Sequence, residues 1–131
     1  KAITKKLVYT VKEINKLGIT SVGIMPNDTI KYPEDNFDNM RKFFSNNKLN
    51  FPYLIDSDQS IARNFGAVCT PDFFGYNSKN ELQYRGRIAE MNNLKFVNDK
   101  NDLLDAMIEI SRKQTGPKNQ FASAGCSIKW K

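Results

Sequence analysis

Residues 68–76 read Val68-Cys69-Thr70-Pro71-Asp72-Phe73-Phe74-Gly75-Tyr76. Pro71 has no N–H to give to a ladder, so it belongs at the first position of a strand rather than inside one. The aromatic run after it reads as a strand over 72–77. Asn77-Ser78-Lys79-Asn80 is a short polar turn, and a second strand follows over 81–87. The pair makes a β-hairpin. Upstream, Pro52-Tyr53-Leu54-Ile55 is a short strand, and Asp56 with Gln59 resembles a capping box for a helix over 57–65 that Gly66 ends.

Further out, residues 34–48 read as a helix. Pro33 suits its first turn, Glu34, Asp35 and Asp38 sit at the positive end of its dipole, and Phe37, Met40 and Phe44 form a buried stripe with Phe43 alongside. Ile19-Thr20-Ser21-Val22-Gly23-Ile24-Met25 reads as a strand whose near-continuous apolar character predicts burial on both faces. Residues 2–17 carry Ile3, Leu7, Val11, Ile14 and Leu17 at helical spacing, and Gly18 suits the position after the helix. Downstream, residues 88–100 read as polar and irregular. A last helix over about 101–113 puts Leu103, Leu104, Met107, Ile108 and Ile110 inside, and Gly116-Pro117 stops it. Residues 115–131 have no helical period and read as a tail. Strands that alternate with helices imply an α/β fold with a mostly parallel central sheet, flanking helices and right-handed crossovers, to which the hairpin adds one antiparallel edge strand.

The order of elements resembles the thioredoxin fold from its active-site helix onward, in the redoxin branch (alkyl hydroperoxide reductase, thiol-specific antioxidant and TlpA-like proteins). The likeness rests on Phe51-Pro52-Tyr53-Leu54-Ile55-Asp56, Ile61-Ala62-Arg63-Asn64-Phe65-Gly66-Ala67, Thr70-Pro71-Asp72-Phe73-Phe74 and Tyr84-Arg85-Gly86-Arg87. The tail Gly125-Cys126-Ser127-Ile128-Lys129-Trp130-Lys131 resembles the ending of one bacterial subgroup. In that subgroup a Cys-X-X-Cys pair precedes a helix segment like Lys1-Ala2-Ile3. The resemblance therefore implies an active-site pair upstream of residue 1, with the strand or strands that lead into it. The earliest Met is Met25, which fits a chain cut from a longer one. The expected organisation is a partial thioredoxin-like domain over 1–114 and a C-terminal tail over 115–131 that carries Cys126.

Composition narrows the chemistry. The chain has 131 residues, 20 Lys+Arg against 14 Asp+Glu, a net charge of +6, two Cys and no His. That length suits one core. Without His, the chain holds no Ser-His-Asp triad, no Cys-His pair and no His-ligated zinc or iron. Two Cys complete neither a structural zinc site nor a disulfide-dense scaffold. No metal or cofactor is expected. No apolar run reaches a membrane-spanning length. The basic face of the first helix (Lys1, Lys5, Lys6, Lys12 and Lys16) is ordinarily just solvated. It lacks the module or stacking aromatics that nucleic-acid binding needs. Asp56-Ser57-Asp58 starts like a calcium loop, but Ile61 and Ala67 stand where Gly and Glu are required.

The resemblance gives Thr70 and Pro71 the role of substrate docking and nucleophile shielding. The matching proline in thioredoxin-like proteins is cis, which leaves the amide edge of the preceding residue open to an extended substrate strand. A trans bond there, or an edge buried under other parts of the molecule, is expected to bring down the whole redox assignment. Cys69 is either a small buried hydrophobe or a resolving thiol. Cys126, near Lys129 and Lys131, is either a reactive thiol or an idle tail residue with Ile128 and Trp130 as anchors. A Cys69–Cys126 disulfide depends on geometry. Arg85 and Arg87 flank Gly86 and by alternation share a face, as a solvated edge or as support for a thiolate. Asp72 is a strand-start residue or, if buried, a group that bears on cysteine protonation.

The expected activity is thiol–disulfide exchange, with a thiol peroxidase and a redox-inactive binding module as alternatives. Expected partners are a disulfide-containing protein or a peroxide, and a thiol electron donor. No nucleic acid is expected, and the oligomeric state stays open.

Overall fold

Helix α1 spans Ala2–Lys16 in the computed structural model, which describes residues 2–131. Lys1 lies outside the described residues. In order follow β1 (Gly23–Met25), α2 (Phe37–Asn46), β2 (Tyr53–Ile55), α3 (Ser60–Phe65), β3 (Cys69–Thr70), β4 (Phe73–Tyr76), β5 (Leu82–Gly86), β6 (Met91–Asn92), β7 (Lys95–Phe96), α4 (Asp102–Lys113) and β8 (Cys126–Ser127).

The α1 stripe does what its spacing predicts at its centre. Val11 and Ile14 are buried, Ile3 and Leu7 half-buried, and Leu17 stays exposed. Ile14 joins Tyr84, Ile88, Leu103, Met107 and Ile110 in the main core, so α1 and α4 pack together beside the β4–β5 hairpin. A polar joint fixes the two helices. Asn101 caps α4 by accepting from the Leu104 N–H at 2.9 Å, and its amide donates to the Thr10 hydroxyl at 2.8 Å. Thr10 in turn donates to the Lys6 carbonyl at 2.7 Å, so all of these buried polar groups are satisfied.

The strands form pairs. β1 runs parallel to β2, while β4–β5, β6–β7 and β3–β8 are antiparallel. Among the described residues these four pairs are not hydrogen-bonded into one continuous sheet. β1 is shorter than the apolar run 19–25, and Val22 beside it is 57% exposed, against the expectation of burial on both faces. Among the described residues β1 has a ladder neighbour on one edge only, and Val22 lies just before the strand. Pro33–Asp35 forms a separate 3-10 turn, and α2 begins at Phe37 because the Asn36 side chain accepts from the Asn39 N–H at 2.9 Å. Only Met40 of the expected stripe is buried; Phe37, Phe43 and Phe44 are exposed. Residues 88–100 contain the small β6–β7 hairpin, turned by Asn93 and Leu94 at positive φ.

Gly86 closes β5 with φ near +154°, a backbone that side chains rarely adopt, and a Cβ there would lie 2.2 Å from the Phe121 carbonyl oxygen. The tail can therefore run close against β5. Arg87 N–H donates to Phe121 O at 3.0 Å, Arg85 N–H to Gln120 Oε1 at 3.0 Å, and the Gln120 amide to Gln83 O at 2.9 Å. The segment expected to be a featureless tail thus covers the outer edge of β5, an edge that folded proteins commonly protect.

Tyr84, 2% exposed, donates to the Arg87 carbonyl. Burial, reinforced by the Asp102 carboxylate, pushes its hydroxyl up to about 12 from the ordinary 10.0. The folded chain therefore holds this proton more tightly than the unfolded one. Its contribution to stability is whole below about pH 10 and is lost as pH rises through about 12. Tyr84→Phe is expected to lower stability at neutral pH by about 1 kcal/mol through the lost hydrogen bond. It should also flatten the fall between about pH 10 and 12. Denaturant midpoints across that range check both effects; parallel alkaline slopes for the two chains would contradict the assignment.

Candidate functional site

Val68 to Pro71 lies where the tail crosses back over the molecule. The Thr70–Pro71 peptide is cis. Cys69, Thr70 and Pro71 line a largely apolar groove of about 1010 Å³, and so do Ile3 and Thr4 from the first turn of α1. The groove is bordered by β1 and by β4, each of which, among the described residues, pairs on its other side only, with β2 and with β5. The loop and the start of α1 therefore face one space.

The amide edge of Thr70 is not open. β3 pairs antiparallel with β8, with Cys69 opposite Ser127 and Thr70 opposite Cys126, and the Ile128 N–H donates to Val68 O at 3.1 Å. Because Pro71 has no N–H, this register engages both the N–H and the C=O of Thr70 with Cys126. A Cβ on Gly125 would lie 2.1 Å from the Thr70 carbonyl oxygen, so only glycine lets the strand sit this close. The docking edge expected for a substrate strand is occupied by residues 125–128 of the same chain, so the redox assignment draws no support from an open edge at Thr70 and Pro71.

The tail strand is held along its whole length. Ile128 is 4% exposed. Gln59, 2% exposed, donates from one amide nitrogen to Pro26 O at 2.8 Å and Lys129 O at 3.0 Å, and accepts from the Lys131 N–H at 3.1 Å. The Lys129 N–H donates to Asn27 Oδ1 at 2.9 Å, and the Asp28 N–H to Lys129 O at 2.8 Å. Arg63 lies 4.3 Å above the Trp130 ring. Ile128 and Trp130 thus anchor the tail, as one reading of the sequence has it. The spacing of Asp56 and Gln59 predicts a capping box. Instead the first turn of α3 is served by Asp58, which accepts from the Ser60 N–H at 3.0 Å, and by Asp56, which accepts from the Ala62 N–H at 2.9 Å, while the Gln59 side chain turns away to bind the tail. The helix accordingly starts at Ser60 rather than 57.

Both cysteines are free, Cys69 half-buried and Cys126 exposed. Residues directly opposite in a ladder share a face and successive residues alternate. Cys126 therefore shares a face with Thr70, and Cys69 lies on the other. This register brings the two thiols to opposite sides of the ribbon and does not support a disulfide between them. Cys69 Sγ lies 3.9 Å from the Ser123 carbonyl oxygen.

The arginines do not act together. Arg85 donates to Gly66 O at 2.7 Å, pairs with Asp72 at 3.3 Å and lies 5.0 Å over Phe74. Arg87 donates to Asp102 at 2.6 Å and lies 4.5 Å over Phe121. The unusual φ at Gly86 breaks the alternation that would have put them on one face. The Asp72 side chain is buried, between Arg85 and the Ser123 hydroxyl at 3.0 Å. Among the described residues no three His, Cys, Asp or Glu side chains converge, and no helix is long and apolar enough to cross a membrane.

The α1–β1 and β4–β5–α4 order around a cis-prolyl loop defines a thioredoxin-like α/β protein of the redoxin type. The family model of the AhpC/TSA family matches residues 1–91. The chain is 31% identical to a hypothetical protein from Sinorhizobium meliloti 1021, with a TM-score of 0.88, over 98% of this chain and 71% of that one. It is 32% identical to an uncharacterized conserved protein from Geobacillus kaustophilus, with a TM-score of 0.89, over 98% of this chain and 69% of that one. No curated protein matches. The chain belongs to the AhpC/TSA family, which supports redoxin-type thiol oxidoreductase or peroxidase chemistry in general.

Two outcomes follow from this geometry. Gln59→Ala leaves the Pro26 carbonyl and the Lys131 N–H without their partner and the Lys129 carbonyl with the Asp28 N–H alone, so a loss of about 2–3 kcal/mol is expected in chemical denaturation. A loss under half of that would show that water replaces the amide. Alkylation of the folded chain should label Cys126 well before Cys69, and mild oxidation should leave monomers without an internal disulfide. A rapid intramolecular Cys69–Cys126 bond would overturn the register.

Proposed function

We propose that the protein is a thiol–disulfide oxidoreductase of the redoxin type, its nucleophilic cysteine pair carried on a segment that leads into α1. The observation that supports this most is the shared groove: the first turn of α1 and the Cys69-Thr70-Pro71 loop line one apolar space bordered by β1 and β4, each paired, among the described residues, on its other side only. A strand placed there would run into α1 and complete a β-α-β unit with β1. A thiol at that helix start would meet the N–H groups of the first turn, which favour thiolate over thiol.

The thiolate attacks one sulfur of a substrate disulfide. One S–S bond breaks, a mixed disulfide forms, and the other substrate sulfur leaves as thiolate. The second thiol of the pair then attacks the mixed disulfide, which releases the reduced substrate and leaves the pair oxidised. A thiol donor reduces it again. Thr70 and Pro71 wall the space beside the nucleophile and limit water there. Cys126, exposed on the Thr70 face, and Cys69, on the opposite face, are secondary thiols in this scheme. A peroxidase alternative calls for a guanidinium beside the thiolate, and both Arg85 and Arg87 are already engaged by carboxylates.

The test is turnover by the full-length protein with a thiol donor. Disulfide reduction should exceed peroxide consumption, and replacement of the upstream pair by serine should abolish it. Peroxide consumption that outpaces disulfide reduction would favour the peroxidase. Absence of both, or full activity without the upstream pair, would overturn the proposal.

A further inference from the structure

We infer that the C-terminal strand is a selectivity element that reserves the site for low-molecular-weight disulfides and keeps extended polypeptide substrates out. This rests on the oxidoreductase reading above and names its substrate class.

A polypeptide that docks by strand addition needs free N–H and C=O groups on the receiving edge. At Thr70 both are engaged by Cys126, through the Thr70–Cys126 and Cys69–Ser127 register. Displacing β8 is costly, because it is not a loose end. Its removal exposes Ile128, breaks the two Gln59 bonds to the tail, at Lys129 O and the Lys131 N–H, and frees the Asn27 and Asp28 bonds to Lys129. Trp130 would also leave Arg63. An incoming strand has to replace all of this with bonds of the same kind. A small disulfide needs none of them. It only has to reach the thiolate at the start of α1, with no bond to the Thr70 edge.

Gly125 gives the element a trigger. A methyl group there meets the backbone of Thr70 and Pro71 at 2.1–2.9 Å, and backbone does not yield as a side-chain end would. Gly125→Ala should therefore lift β8 from Thr70 while keeping every thiol of the protein. Ile128→Asp reaches the same end independently, by placing a charge in a buried apolar site.

The experiment compares kcat/KM of the full-length protein for insulin and for bis(2-hydroxyethyl) disulfide. The intact tail should favour the small disulfide by about tenfold or more, a difference of about 1.4 kcal/mol. Either substitution should raise kcat/KM for insulin about tenfold and leave the small disulfide within about twofold. A second measurement is independent of turnover. A labelled peptide copying residues 125–131 should bind the chain ended after Ala124 and not the intact chain. Insulin reduced as fast as the small disulfide by the intact protein, a ratio unchanged by both substitutions, or equal peptide binding to both chains would overturn the inference and leave the oxidoreductase reading intact. No turnover of either disulfide by any variant would sink that reading and this inference with it.

Discussion

Two backbone groups of Thr70 are the pivot of this structure. Their engagement by Cys126 brings the last seven residues back across a loop more than fifty positions earlier in the chain. A two-residue ladder contributes little alone, since a net hydrogen bond is worth about 1 kcal/mol. It persists because the flanks are held. Ile128 supplies apolar burial, and the Gln59 amide ties both Pro26 and Lys129. The tail thereby joins the end of β1, the start of α3 and the prolyl loop.

The same placement decides what the site can receive. Domains that capture peptides by strand addition present a free edge. Here the edge is satisfied internally, so a substrate has to reach the start of α1 without pairing to Thr70. Charge does little to steer a substrate through the hairpin, because Arg85 and Arg87 are each neutralised by a neighbouring carboxylate. Redoxin-type chemistry is supported by the family to which the chain belongs, not by an open docking edge.

Local patterns in the sequence carried much of the architecture. The α1 stripe, the hairpin around Asn77–Asn80 and the inner face of α4 follow from periodicity and turn chemistry, and Val11, Ile14, Leu103, Met107 and Ile110 are buried as expected, while Leu17 is exposed and Leu104 and Ile108 are half-buried. What stayed hidden depends on contacts far apart in the chain. Gln59 looks like a capping residue because its distant partners, Pro26 and Lys129, cannot be seen from spacing. Gly125 looks like tail flexibility, though its missing side chain is what lets the strand reach Thr70. Leu94, 89% exposed and at positive φ, hides the β6–β7 turn because leucine is not a turn residue. The early start assigned to α2 came from Pro33 and its acidic neighbours, which belong to a separate turn ended by the Asn36 cap. A bare tail of 17 residues (115–131) gave no periodic signal, since a two-residue strand is too short to make one.

Amide hydrogen exchange at Thr70 tests the central claim most directly. If β8 is seated as described, the Thr70 N–H exchanges many times more slowly than in an unstructured peptide, and Gly125→Ala removes that protection while leaving Ile14 and Ile110 protected. Exchange at Thr70 as fast as in a free peptide, in the unaltered chain, would show that the edge is open and contradict the account.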